Sequence, residues 1–499
     1  MAASSKTQHR TGSVLVIINR EMKAATAELV FIPYPAMGHL GPIVEMAKRL
    51  VARDHRLSIT ILLMKTPLDK SNITSTTQSL VLTAAGDRLK FVYLPQQDDV
   101  GMNKQHVRDH VRREIMASTV STRLAGFVVD MFCTPMMEVA AEFGLPSYAF
   151  IASNCAFLGL IFHLETLSQD QDVTELKDSD AELEVPVFVN PVPVTALPFT
   201  VLDKEGGSRF IMEIFRRLRE TKGILVSTFE ELESYPIKCL MENDKVPPIY
   251  PVGPVLRLAE DKSKEEEKEE EGVIQIMRWL DDQPPSSVVY LCFGSEGILE
   301  EDQVREIAQA LEQCGHRFLW SVREPPPKGK IATLGEYKDL SHVLPEGFLK
   351  RTTAIGKVIG WAPQVAVLSH KAVGGFVSHC GWNSTLESLW YGVLMATWPL
   401  YAEQQMNAFY LVRELGLAVE IKLDYRKESR TSEVKLVTAN EIENGIRKLM
   451  GSENKSSEEI KQKVKEMSEK SKAAVQEGGS SYNYIGRFIE DIINNVHSP

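Results

Sequence analysis

Residues Val373 to Gly392 read VGGFVSHCGWNSTLESLWYG. The opening VGGFVS is small and apolar, as suits a strand buried on both faces. That run stops at His379 and Cys380. A glycine turn follows, and Asn383 onward carries helical spacing that Gly392 ends. Strand, tight turn and helix form the repeating unit of a parallel α/β sheet. The spacing Ser384-x-x-Glu387 predicts a capping box. Exposed N–H groups at a helix start bind anions, and His379 at the strand's carboxyl end can add a donor, so the turn suits a phosphate. A plain strand–turn–helix with a capped end accounts for the stretch equally well. Cys380 does not form a nucleophile pair with His379, because neighbours in extended chain point to opposite faces.

Working outward, strand-like runs alternate with helical ones: ELVFIP from Glu28, LSITILLM from Leu57, LKFVYLP from Leu89, GFVVD from Gly126 and GILVST from Gly223. The series pauses at AEDKSKEEEKEEEG (Ala259 to Gly272), an acidic run that reads as solvated linker. It restarts with SVVYLCFGS, RFLWSVR, KVIGW, GGFVSH and LMATWP. A 499-residue chain exceeds one ordinary core. Two α/β domains facing across a cleft are expected, with ligands outside the carboxyl ends of the strands.

The net charge of −11 argues against a general binder of nucleic-acid backbones, while a local site can still oppose it. Six scattered cysteines show no metal or disulfide spacing, so reduced thiols and a cytoplasmic location are expected. The apolar stretch GLPSYAFIASNCAFLGLIFHL from Gly144 approaches membrane-span length, but Pro146 and Ser153-Asn154 break it. It reads as a strand to about Ile151 and a helix capped near Ser153 or Asn154. No stable membrane insertion is expected.

Two further stretches carry chemistry. In FIPYPAMGHLGP, His39 follows a strand and opens a helix. The helix start disfavours imidazolium, so His39 is expected to stay neutral, as a general base must. A structural histidine bonded at a turn is the competing reading. Asp130 ends GFVVD, and a charge there needs a partner. On one sheet edge it would meet His39 and orient the ring. No GxSxG, GxGxxG after a strand, or GxxxxGK[ST] stands in the chain, so the attacking group belongs to a substrate. CFGSEG (Cys292 to Gly297) is a glycine loop after a strand, equally an ordinary turn.

These pieces together resemble the plant UDP-sugar-dependent glycosyltransferases of family 1. Residues Trp361 to Gln404, WAPQVAVLSHKAVGGFVSHCGWNSTLESLWYGVLMATWPLYAEQ, are similar to that family's signature box, and the likeness runs from about Glu28 to the C-terminus. It implies the GT-B fold, two Rossmann-like domains with parallel sheets. The expected division is an N-terminal extension at 1–27, an acceptor domain at 28–256, a linker at 257–272, a UDP-sugar domain at 273–480, and a helix at 481–499 returning to the first domain. Carried over, Trp361 stacks on uracil, Ala362 reads its edge, and Glu387 with Gln364 nearby binds ribose. Ser295, His379, Asn383 and Ser384 hold the diphosphate. Trp382, Glu403 and Gln404 contact the sugar, with Gln404 favouring glucose. Trp361 and Trp382 as core aromatics remain the alternative.

The resemblance implies an inverting transfer of glucose from UDP-glucose to a hydroxyl of a lipophilic phenol, flavonoid or terpenoid. His39 would act as base and Asp130 as its partner, with no catalytic metal or cofactor and a monomeric chain. Another UDP-sugar as donor, or a UDP-sugar-binding protein without turnover, are the alternatives. Glu296 departs from the family pattern. Either its carboxylate points away from the diphosphate or it weakens donor binding.

Overall fold

The computed structural model describes residues 26–65, 81, 84, 86–117, 122–177, 179–258, 270–325, 335–425, 435–451 and 455–497. The expected N-terminal extension lies outside them up to residue 25, as does 259–269 of the acidic run. Thr26 and Ala27 already belong to the first strand, and Glu270 opens a helix that continues to Asp281.

Two sheets organise the chain. The first contains β1 (Thr26–Ile32), β2 (Leu57–Leu63), β3 (Leu89–Tyr93), β4 (Thr122–Asp130) and β5 (Ser147–Ile151). A small antiparallel pair, β6 (Glu182–Leu183) and β7 (Val192–Pro193), interrupts before β8 (Gly223–Val226) and β9 (Ile249–Pro251). The order is β3-β2-β1-β4-β5-β8-β9, parallel throughout. The second sheet has β10 (Val288–Cys292), β11 (Arg317–Ser321), β12 (Gly356–Ile359), β13 (Val373–Ser378), β14 (Met395–Thr397) and β15 (Ala418–Glu420). Its order is β12-β11-β10-β13-β14-β15, again parallel. Every residue of β5 and β10 is buried, because helices cover both faces.

Strand order reverses direction between β1 and β4 in the first sheet, and between β10 and β13 in the second. Such switch points open a crevice at the strands' carboxyl ends. The first crevice is flanked by His39, after β1, and Asp130, the last residue of β4. The second is flanked by the loop Phe293–Gly297, after β10, and His379, after β13.

The membrane-length stretch resolves into β5 and the helix Cys155–Leu167. Asn154 caps that helix, its Oδ1 accepting from the Phe157 N–H at 2.7 Å. Among the described residues no helix is long and apolar enough to cross a membrane. The helix Ser480–His497 packs on the first sheet. Phe488 sits against Tyr148 and Tyr250, centroids 5.1 and 5.5 Å away, and Asp491 accepts from the Tyr148 hydroxyl at 2.5 Å.

Candidate active site

His39 is the third residue of the helix Met37–Arg53. Its Nδ1 lies 2.8 Å from Asp130 Oδ2, and its side chain is 24% exposed against 0% for Asp130. The other carboxylate oxygen, Oδ1, accepts from the Phe132 N–H at 2.9 Å. A carboxylate only accepts, so Nδ1 carries the proton and Nε2 keeps its lone pair. Tyr34 and Phe132 wall the ring, with centroids 5.7 and 5.2 Å from it.

The His39 pKa moves opposite to the direction expected from the helix start alone. Burial does pull the imidazole down. The Asp130 charge, the hydrogen bond to it, and the carboxylates of Glu403 and Glu296 together leave it above its ordinary 6.5. A buried carboxylate at bonding distance outweighs the partial charge of a helix terminus. His39 is therefore more basic than a free histidine, and neutral only above its raised pKa.

Opposite stands the helix Trp382–Tyr391, closed by Gly392 in the left-handed region at φ 68°. The expected capping box is absent. The N-cap is Gly381, which offers no side-chain bond, so Ser384 and Glu387 lie inside the helix. Its first N–H groups are thus left uncapped, as an anion site requires. Ser384 Oγ and Glu387 Oε2 instead accept from Gln364 Nε2, at 2.8 and 2.7 Å. Burial pushes the Glu387 carboxyl up to about 7 despite that bond.

His379 is buried at 6% exposure, and burial pushes its pKa down to about 4. Its Nδ1 has no hydrogen-bond partner among the described residues. The ring lies in a slot of bare backbone. A Cβ at Gly294 or Gly381 would stand 2.5 or 2.7 Å from Nε2. Cys380 is fully buried and its thiol is pushed up to about 12, so it is inert as a nucleophile.

The remaining expected residues divide. Trp361 is 48% exposed, its backbone N–H donating to Glu336 Oε1 at 2.8 Å, with Ala362 buried beside it. Ser295 and Glu296 are exposed on their loop. The Glu296 charge is felt by Tyr34, His39 and Tyr401. Glu403 is also felt by His39. Trp382 and Gln404, the other two residues expected at the sugar, are both buried. Trp382 is 2% exposed, and its indole N–H donates to the Ser227 carbonyl at 2.8 Å, pinning the two halves together. Gln404 is 3% exposed, and its Oε1 accepts from the Leu400 and Tyr401 N–H groups at 2.9 and 3.0 Å.

Asn383 closes the distance between the crevices. Its Nδ2 donates to the carbonyl of Gly38, the residue before His39, at 2.9 Å. A polarised imidazole and an uncapped helix start therefore share one cleft.

Residues 273–453 match the family profile described as UDP-glucoronosyl and UDP-glucosyl transferase. UDP-glycosyltransferase 71E1 of Stevia rebaudiana is 53% identical over 489 residues, covering 94% of this chain and 99% of that protein. The chain belongs to the plant UDP-glycosyltransferases of family 1. UDP-glucose flavonoid 3-O-glucosyltransferase 6 of Fragaria ananassa is 52% identical, with the same coverages. Among solved structures, a UGT transferase from Siraitia grosvenorii in complex with UDP superposes at a TM-score of 0.83 with 46% identity, covering 94% of this chain and all of that one. Medicago truncatula UGT71G1 complexed with UDP-glucose gives 0.80 and 38%, covering 94% and 98%. The fold is GT-B and the protein is a glycosyltransferase.

Several residues of this glycosyltransferase site carry no signal in the sequence. Glu336, Ser227 and the Gly38 carbonyl act through backbone bonds that no motif marks. Tyr34 and Phe132 flank the chemistry-bearing residues, and only the fold shows that they meet. Among the described residues no group of three or more His, Cys, Asp or Glu side chains is gathered as a metal site.

Proposed function

We propose that this glycosyltransferase moves glucose from UDP-glucose to a hydroxyl of a lipophilic small molecule, a phenol, flavonoid or terpenoid, giving a β-O-glucoside with inversion. The observation that carries the reading is the 2.8 Å His39–Asp130 pair, one residue from the Gly38–Asn383 bond to the helix start.

The acceptor hydroxyl approaches His39 Nε2, which takes its proton while Asp130 stabilises the imidazolium. The oxygen bonds to the anomeric carbon from the face opposite UDP. The bond from that carbon to the diphosphate oxygen breaks, and its electron pair leaves with UDP. The N–H groups of Trp382, Asn383 and Ser384, with His379 and Ser295, meet the growing negative charge. Trp361 and Ala362 hold the uracil, and Glu387 with Gln364 the ribose. A sugar contact from Trp382 falls to its backbone N–H, since its indole is engaged elsewhere. Glu403 remains the carboxylate for the sugar hydroxyls. The glucose assignment rests on relatives named for UDP-glucose rather than on Gln404, whose oxygen is occupied. The residues from 28 to 256 receive the acceptor and those from 273 to 480 the donor.

The test is mass spectrometry of the protein with UDP-glucose and a panel of plant phenolics. A hexose increment on an acceptor, with stoichiometric UDP, is the expected result. Ligand-induced stabilisation without turnover would leave only a binder.

A further inference from the structure

Cys380 occupies the left-handed region, at φ 64°, where a side chain is strained and glycine is at ease. It separates His379 from the start of the helix Trp382–Tyr391, so its conformation sets both halves of the anion cradle. Something must hold it. The Cys380 carbonyl accepts from Asn407 Nδ2 at 2.9 Å. Asn407 lies in the helix Gln404–Phe409 and is fully buried. Its own Oδ1 accepts from Asn154 Nδ2 at 2.7 Å. Asn154, also fully buried, belongs to the other half of the molecule, where it caps the helix Cys155–Leu167.

The bond from Asn154 fixes which end of the Asn407 amide faces Cys380, because an amide oxygen cannot donate. The neighbourhood is docked at a second point. Glu233 accepts from the Cys155 and Ala156 N–H groups, both at 2.9 Å, and from the hydroxyl of Tyr410, three residues after Asn407.

We propose that Asn407 is a positioning residue for the transfer reaction. It clamps Cys380 in its left-handed turn, thereby presents His379 and the open helix start to a diphosphate, and through Asn154 ties that clamp to the acceptor half. The inference rests on the UDP-sugar reading above. It assigns Asn407 no contact with either substrate.

Calorimetric titration of the full chain with UDP tests it. Asn407→Ala should weaken UDP binding about tenfold, the size expected for one buried hydrogen bond. Adding Cys380→Gly should recover the affinity to within about threefold, because glycine adopts φ 64° without a clamp. A merely structural loss of packing at Asn407 would not respond to that second change. Asn154→Ser keeps a helix cap but cannot reach Asn407. It should weaken UDP binding about threefold, and it carries the test should Asn407→Ala fail to fold. Native protein that does not bind UDP would overturn the UDP-sugar reading itself. Native binding with undiminished affinity in Asn407→Ala, or a loss that Cys380→Gly leaves unrecovered, overturns the clamp alone.

Discussion

The Gly38 carbonyl accepts from Asn383 Nδ2, 2.9 Å away across the cleft, in place of a helical partner that the chain does not provide. The residue four positions on, whose N–H would normally bond that carbonyl, is Pro42. A proline inside a helix thus frees an acceptor that joins the two halves beside His39. Pro42→Ala should restore the N–H and draw the carbonyl back into the helix. The variant is expected to melt a few degrees higher, since proline disfavours a helix interior, yet to turn over about three- to tenfold more slowly. Paired melting curves and kcat values check this. A rise in Tm with kcat unchanged would show that the bond is incidental.

The His39–Asp130 pair predicts a pH profile whose sign follows from its partners. A base works when neutral, so the rate falls as pH drops through the His39 pKa. Asp130, Glu403 and Glu296 raise that pKa, which places the acid limb of kcat/KM above 6.5. In Asp130→Asn the main raising charge is gone and burial remains, so the limb should move to lower pH. The plateau should fall by roughly 10³ to 10⁴, as in other enzymes whose orienting acid is neutralised. His39→Ala should lose about 10² to 10⁴ in kcat while holding UDP as tightly as the native protein. Equal damage to turnover and UDP binding would remove His39 from the role of base.

Glu296 offers a gain of function. The sequence left open whether its carboxylate turns away, and its charge is felt by Tyr34, His39 and Tyr401. A like charge near a diphosphate weakens its binding. Glu296→Ser should lower the KM for UDP-glucose and shift the acid limb slightly downward, since one charge raising His39 is removed. An unchanged KM at low ionic strength would mean that solvent already screens the pair.

Trp361 is large, apolar and about half exposed at the carboxyl end of β12, an arrangement that costs hydration unless a flat ligand covers it. Trp361→Ala should weaken UDP by about 1–3 kcal/mol, with Trp361→Phe keeping most of the affinity. Titration with UDP and with inorganic diphosphate separates the base contact from the phosphate contacts. Only UDP binding should respond.

The strands around both switch points were legible because each carries a run of buried apolar residues, and β4 and β13 end on a polar one, Asp130 and Ser378. β9 and β15 were not, because three residues such as IYP and AVE carry no period. The site divides likewise. His39, Asp130 and the turn at His379 lie at strand ends, where sequence order alone dictates proximity. The inward roles of Trp382 and Gln404 depend on what each half meets in the other. The Ser384-x-x-Glu387 spacing misled because the helix starts three residues earlier, with Gly381 as its N-cap, which moves both side chains off the cap and onto Gln364.

Two features of His379 point the same way. Burial pushes its pKa down to about 4, so the ring is neutral at pH 7. Its Nδ1 is buried without a partner among the described residues, a costly state that a diphosphate oxygen would relieve. The neutral ring should therefore act by one N–H donation and not by charge. His379→Ala is expected to raise the UDP dissociation constant about tenfold or more. The KM for UDP-glucose should show no His379-dependent change between pH 5 and 8, so the native and variant profiles run parallel there. A native protein that binds the donor more tightly as pH falls from 8 to 5, with that trend lost in His379→Ala, would show an imidazolium at the cradle and contradict the neutral donor.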